Sequence, residues 1–82
     1  MQICDLHGLR FEEGKDKLIR FLNRCLVKHE KSIQIVHGYH GRAFKDYIQS
    51  PDFLDEMEEE GIYIIEMNIS KNPGSTDITL DL

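Results

Sequence analysis

Apolar residues recur along this chain with two different periods, and each period predicts one kind of secondary structure. In three segments the spacing is that of a helix with one buried face. Ser50 and Pro51 separate the second segment from the third, because Pro fits the first turn of a helix and cannot continue one. Gly61 follows the third segment, where a glycine commonly ends a helix. The predicted helices cover residues 11–29, 42–49 and 51–60, with Ser50 as the N-cap of the last.

The remaining apolar segments are short and typical of strands. Ser32 to His37 is rich in β-branched residues. Near the end of the chain, apolar or Thr side chains alternate with polar ones as far as Leu82, which indicates a strand with one buried and one wet face. Asn72-Pro73-Gly74 predicts a turn before it. The predicted strands cover residues 1–6, 32–37, 62–69 and 76–82.

The order of these elements predicts an α/β fold. A right-handed crossover through the first helix makes the first two strands parallel. The wet face of the last strand indicates that helices cover only part of the sheet. We therefore predict a single domain over residues 1–82, a two-layer sandwich with a mixed four-stranded sheet in the order β-α-β-α-β-β, in which the second α is one helix or two.

Composition narrows the class of protein. The chain is 40% hydrophobic and 30% charged, as soluble globular proteins are. No apolar run approaches the roughly 20 residues of a membrane span, and the first residues lack the layout of a secretion signal. We therefore expect a cytoplasmic protein without a membrane partner. In that compartment Cys4 and Cys25 are expected to be buried thiols rather than a disulfide.

Charge is unevenly placed, although the net charge is -5. Residues 1–45 hold nine of the ten Lys and Arg but five of the fifteen Asp and Glu. A basic face can bind phosphate despite an acidic total. The first helix has a stripe that either follows a phosphate backbone or is its solvated side, and the acidic residues 52–60 are expected to lie away from bound nucleic acid. The stripe consists of Lys17, Arg20, Arg24 and Lys28.

Two His-Gly pairs follow predicted strands, His7-Gly8 after the first and His37-Gly38 after the second. Parallel neighbours bring both pairs to one carboxyl edge of the sheet, where open α/β folds bind ligands. Histidine exchanges protons near neutral pH, as phosphodiester chemistry requires. Asp5 lies on the same side of the strand as His7 and either orients a histidine or holds a divalent cation such as Mg²⁺ or Mn²⁺. We predict Asp5, His7 and His37 as catalytic residues, with one phosphate contacting both imidazoles.

Residues around the second pair are predicted to bind the substrate. Gly38 and Gly41 let loop amides face a phosphate. Tyr39 either offers a ring on which an unpaired base stacks or is an ordinary surface tyrosine. Arg42 and Lys45 open the second helix and are expected to hold the phosphate backbone. The complete predicted set is Gly8, Gly38, Tyr39, His40, Gly41, Arg42 and Lys45.

Zinc-ligand residue types also occur here, in Cys4, His7, His37 and His40. Strand geometry counts against a zinc site, because Cys4 and His7 are three residues apart and point to opposite faces of an extended chain. We therefore assign no metal-ligand set.

Three motifs occur in order along the chain: Asp5-Leu6-His7-Gly8, His37-Gly38 with Gly41, and the segment from Gly74 to Leu80 that reads GSTDITL. Together they resemble the Smr (small MutS-related) domain over essentially the whole chain. His40 differs from that family's HGxG loop, since the next glycine comes one residue later. The resemblance implies a fold like that of the C-terminal domain of bacterial translation initiation factor three. It also implies nicking or cleavage of DNA or RNA, or nucleic-acid binding without cleavage.

The leading hypothesis is an endonuclease that acts on DNA or RNA phosphodiesters, as a protein of its own or as a domain of a larger one. The alternative is a non-catalytic module that binds structured or branched nucleic acid or a ribosomal surface. A third hypothesis is a protein-interaction domain that uses the acidic helix.

Overall fold

A computed structural model describes residues 1–38, 42–69 and 73–82 of the chain. The predicted helices and strands are all found in these ranges, and their ends differ from the predicted ones by at most two residues. Two helices connect the second strand to the third. The elements are β1 (Gln2–Asp5), α1 (Phe11–Val27), β2 (Ser32–Val36), α2 (Arg42–Ile48), α3 (Pro51–Glu59), β3 (Ile64–Ile69) and β4 (Ser75–Leu80).

The four strands form one mixed sheet in the order β1-β2-β4-β3. β1 and β2 are parallel, as the crossover through α1 predicts, whereas β4 runs antiparallel to both of its neighbours. Asp5 pairs with Val36 in register, so β1 and β2 end at the same edge of the sheet. His7 and His37 therefore leave the sheet side by side. The predicted fold class is confirmed.

One face of the sheet is apolar, and the other is largely polar. Cys4, Ile35 and Ile78 are buried on the apolar face. On the opposite face Gln34 and Asp77 pair in register and are half-buried. Buried side chains from α1, α2 and α3 join the apolar face in one core cluster, which makes the domain two layers thick. None of the described helices has the length and apolar content that crossing a bilayer demands.

Gly14 lets the first two helices approach each other. A Cβ added at this position would lie 2.5 Å from Cε2 of Phe44 on α2. The Phe44 ring also packs against Phe11, with ring centroids 5.1 Å apart. The glycine therefore weakens α1 locally but sets the position of α2, which begins shortly after the second His-Gly pair.

Ser50 is the N-cap of α3 and Pro51 follows it in the first turn, as predicted, although Ser50 makes no side-chain capping hydrogen bond. Its hydroxyl instead donates to the carbonyl oxygen of Tyr47, 2.6 Å away. The prediction that the last strand continues to Leu82 is wrong. Leu82 lies beyond β4 and is 56% exposed, since the pairing of β4 with its neighbours ends at Leu80.

Candidate active site

The chain turns immediately after β1 and brings His7 back onto Asp5. The Leu9 amide donates to the carbonyl oxygen of Leu6 at 3.2 Å and closes a β-turn. Gly8 is the third residue of this turn, and its φ of +76° is the value that a type II turn requires there. Asp5 Oδ1 accepts the backbone N–H of His7 at 3.1 Å. The Asp-x-His-Gly spacing thus matches the turn, because Asp5 binds the amide two residues later and Gly8 takes the positive φ.

The same carboxylate oxygen holds the His7 ring. Nδ1 of His7 lies 2.5 Å from Oδ1 of Asp5, and the two side chains are 68% and 51% exposed. Hydrogen bonds from the His7 side chain and backbone lower the pKa of Asp5 below its ordinary value of 3.8. Because an ionised carboxylate can only accept, it favours the ring form with a proton on Nδ1. The other nitrogen, Nε2, is then left to exchange a proton with a ligand.

Lys17 reaches this pair from α1. Its Nζ donates to the backbone carbonyl oxygen of Asp5 at 2.7 Å. β1 is an edge strand, so the lysine donates to a backbone carbonyl at the side of β1 that has no neighbouring strand. The sequence pattern assigns Lys17 to the basic stripe and not to the site. Lys17 lies two turns into α1, and α1 runs back along β1. The sequence signal for its position is therefore its distance from the start of the helix.

A shallow groove continues from Lys17 along α1, lined also by Arg20, Asn23 and Arg24. The three basic side chains are exposed. Arg20 forms an ion pair with Asp16 at 2.6 Å within the helix, so part of its charge is offset. Positive charge therefore extends from the Asp5–His7 pair along one side of α1.

His37 leaves the same edge of the sheet but is buried, with 3% of its surface exposed. Its Nε2 lies 3.1 Å from Oγ1 of Thr76 on β4, and its Nδ1 lies 3.3 Å from the carbonyl oxygen of Gly38. The predicted shared edge is present. The predicted contact of one phosphate with both imidazoles does not fit this geometry, because both His37 nitrogens face protein atoms. The geometry favours a supporting role for His37 over proton exchange with a substrate.

Gly38 supports His7 from the end of β2. It has a φ of +83°, and a Cβ added to it would lie 3.2 Å from Cβ of His7. The amides of His37 and Gly38 both donate to the carbonyl oxygen of Gly74, each at 2.9 Å. The Gly38 amide is thus used within the protein, and the loop amides of residues 39–41, which are predicted to face a phosphate, lie outside the described residues. Gly38 lets the end of β2 pack against the turn that holds His7.

The other predicted substrate-binding residues lie on α2 or in the segment that precedes it. Arg42 is 90% exposed at its side chain, and its Nε lies 3.8 Å from a carboxylate oxygen of Asp46. Lys45 is half-buried one turn later. The contacts described for the Asp5–His7 pair come from Lys17 and not from these two residues. Three further predicted residues, Tyr39, His40 and Gly41, lie outside the described residues.

Cysteine and histidine do not converge on a metal site in the described part of the chain. There, no three His, Cys, Asp or Glu side chains lie close enough to share a metal ion. Cys4 and Cys25 are both buried free thiols, as predicted. Burial raises the pKa of Cys4 to about 11, which keeps the thiol protonated. Cys4 is buried in the core, whereas the His7 side chain is 68% exposed in the turn after β1.

Comparisons with known proteins agree on one family. The family model described as the Smr domain matches residues 4–61. A stretch of 45 residues, 55% of this chain, is 38% identical to Endonuclease MutS2 of Exiguobacterium sibiricum and corresponds to 6% of that protein's length. The crystal structure of the Smr domain of Thermus thermophilus MutS2 matches with a TM-score of 0.81 over 100% of both chains, at 16% identity. The last match supports the fold.

Proposed function

Since this chain belongs to the Smr domain family, we propose that it binds nucleic acid and cleaves a phosphodiester bond at the Asp5–His7 pair. The observation that carries the proposal is an exposed imidazole held 2.5 Å from a carboxylate, beside a lysine. The relative from Exiguobacterium sibiricum is named an endonuclease, which supports the same class of reaction.

His7 supplies the proton transfer. Asp5 holds the Nδ1 proton, and Nε2 takes a proton from the attacking oxygen or gives one to the leaving oxygen. Asp5 also stabilises the imidazolium that forms when Nε2 gains a proton. Proton transfer by a positioned side chain typically contributes on the order of 10²–10⁴-fold to a rate. Because His37 is buried, the mechanism uses one histidine in this role rather than the two that the sequence predicts.

Positive charge on α1 binds the substrate. Lys17 lies beside the reacting pair, where an ammonium group stabilises negative charge on the phosphate. Arg20 and Arg24 continue the same groove and contact neighbouring phosphates. The contacts are to the backbone, so this surface accepts DNA or RNA, with Arg42 and Lys45 as additional phosphate contacts.

Cleavage is tested with His7→Ala, with Asp5→Asn and with His29→Asn as the control. His29 is exposed at the other end of α1 with a φ of +58°, a conformation that Asn tolerates. We expect His7→Ala to slow cleavage of labelled single-stranded or branched DNA or RNA by about 100-fold or more while leaving affinity nearly unchanged. Asp5→Asn should also slow cleavage, because its amide donates to Nδ1 and moves the ring proton to Nε2. The control should cleave normally.

Two results would count against cleavage at His7. A His7→Ala protein that cleaves at the wild-type rate removes the histidine from the mechanism. A wild-type protein that binds tightly but cleaves no substrate, with or without Mg²⁺ or Mn²⁺, supports the non-catalytic binding module instead.

Binding is tested separately through salt dependence. Each phosphate contact contributes about one to the slope of log affinity against log salt. We expect Lys17→Ala to reduce that slope by about one. Lys31→Ala is the matched control, because Lys31 is an exposed lysine outside the α1 groove. Equal effects of the two variants would show that α1 is not the binding surface.

A further inference from the structure

A second surface lies at the opposite edge of the sheet, where β3 is the last strand. An open groove runs between the beginning of α3 and β3, next to the junction of α2 and α3. Two of its side chains are well exposed, Ile65 at 65% and Leu54 at 40%. The apolar residues that line the groove are Ile48, Pro51, Leu54, Ile64, Ile65 and Met67.

An irregularity in β3 turns Ile65 outward. Ile64 pairs with Leu80 and Glu66 pairs with Thr79, so Ile65 is an extra residue between two adjacent partners. Such a bulge bends the strand, increases its twist and re-aims a side chain. It also blunts an edge against the pairing of a further strand. The groove therefore offers side chains, rather than backbone groups, to a partner.

Carboxylates surround this apolar surface. Asp55 and Glu58 follow Pro51 and Leu54, respectively, by four residues on α3 and so share that face of the helix. Glu66 lines the groove from β3. All three carboxylates are exposed, and within the described ranges none has a basic side chain at ion-pair distance.

We propose that this groove binds a basic amphipathic segment of a partner protein. Apolar side chains of the partner insert between Leu54 and Ile65, and its Lys or Arg side chains meet Asp55, Glu58 and Glu66. Opposite potentials favour such a partner, whereas a symmetric contact between this groove and the same groove of a second copy would bring carboxylates against carboxylates. Nucleic acid is repelled by the same charges. The groove flanks β3 and the Asp5–His7 pair follows β1, so the two surfaces are at opposite edges of the sheet.

The probe is a synthetic helical peptide with a Leu stripe and Lys or Arg on its remaining positions. One matched peptide carries Glu in place of the basic residues, and another carries Gln in place of Leu. Fluorescence anisotropy with the full chain should show saturable binding of the basic amphipathic peptide alone. We expect Ile65→Asp to weaken this binding by about tenfold or more. Val27→Asp is the control, because Val27 is 81% exposed on α1, outside the groove.

Glu58→Lys tests the charged side of the groove and should also weaken binding of the basic peptide. This second variant decides the test if circular dichroism shows that Ile65→Asp misfolds. Ile65→Asp should leave nucleic-acid affinity unchanged, since that binding uses α1. The proposal is overturned if no peptide binds, if the Glu or Gln peptide binds equally well, or if Val27→Asp is equally damaging. It is also overturned if sedimentation shows a wild-type dimer that Ile65→Asp dissociates, because the groove is then a contact between copies.

Discussion

His37 Nε2 and the hydroxyl oxygen of Thr76 lie 3.1 Å apart inside the protein, and their contact joins the end of β2 to β4. His37 is followed by Gly38, which packs against Cβ of His7. The exposed His7 therefore packs against the end of β2, where the second histidine is buried. Two His-Gly pairs that are equivalent in the sequence differ in exposure and in their partners.

Replacing Thr76 by Val should test this buried contact. The substitution keeps the shape of the side chain but leaves His37 Nε2 without its hydroxyl partner. An unsatisfied buried polar group costs roughly 1–3 kcal/mol, and we expect a loss of that size in the free energy of unfolding by urea. Thr79→Val is the control, because Thr79 is half-buried on the other face of β4. Equal stabilities of the two variants would contradict a structural role for the contact.

His37→Ala should reduce stability more than catalysis. The lost hydrogen bond and the cavity together should lower the free energy of unfolding by about 2–4 kcal/mol. We expect the cleavage rate per folded molecule to stay within about tenfold of wild type, in contrast to His7→Ala. The rate should be measured at a temperature where circular dichroism shows the variant to be folded. A folded variant as inactive as His7→Ala would restore the two-histidine mechanism.

The contribution of Asp5 to stability should depend on pH. The His7 hydrogen bonds lower the pKa of Asp5 in the folded state below 3.8. The stabilisation is therefore fully present above the unfolded-state pKa and is lost as the pH falls through the lower, folded-state pKa. The difference in unfolding free energy between wild type and Asp5→Asn should shrink between about pH 5 and pH 2. Asp81→Asn is the control, because Asp81 is also exposed. An equal pH dependence of stability in both variants would contradict the stabilisation assigned to Asp5.

Gly14→Ala should destabilise the protein even though Ala favours helices. The substitution gains up to about 1 kcal/mol in helix propensity. Its Cβ would lie 2.5 Å from Cε2 of Phe44, however, and Phe11 packs against the same ring. Overpacking typically costs about 1–3 kcal/mol, so we expect a net loss in thermal or urea unfolding. Asn23→Ala, at an exposed position of the same helix, should be neutral or stabilising. A stabilised Gly14→Ala variant would show that Phe44 moves freely.

The sequence by itself determined the secondary structure and the parallel pairing of the first two strands. Helical and alternating periods are local properties, and the handedness of the crossover follows from chain chirality. The sequence also determined the Asp5–His7 contact. Asp5, His7 and Gly8 lie within one turn, so the backbone bonds that bring them together involve neighbours in the chain.

Only the tertiary structure decided which groups face solvent at that edge. The insertion of β4 between β2 and β3 places Thr76 against His37, 39 residues away in the sequence, and buries the ring. The return of α1 along β1 places Lys17 on Asp5. These contacts depend on strand order and on helix packing against the sheet. Periodicity predicts which face of an element is buried, but it does not specify which distant residue covers it.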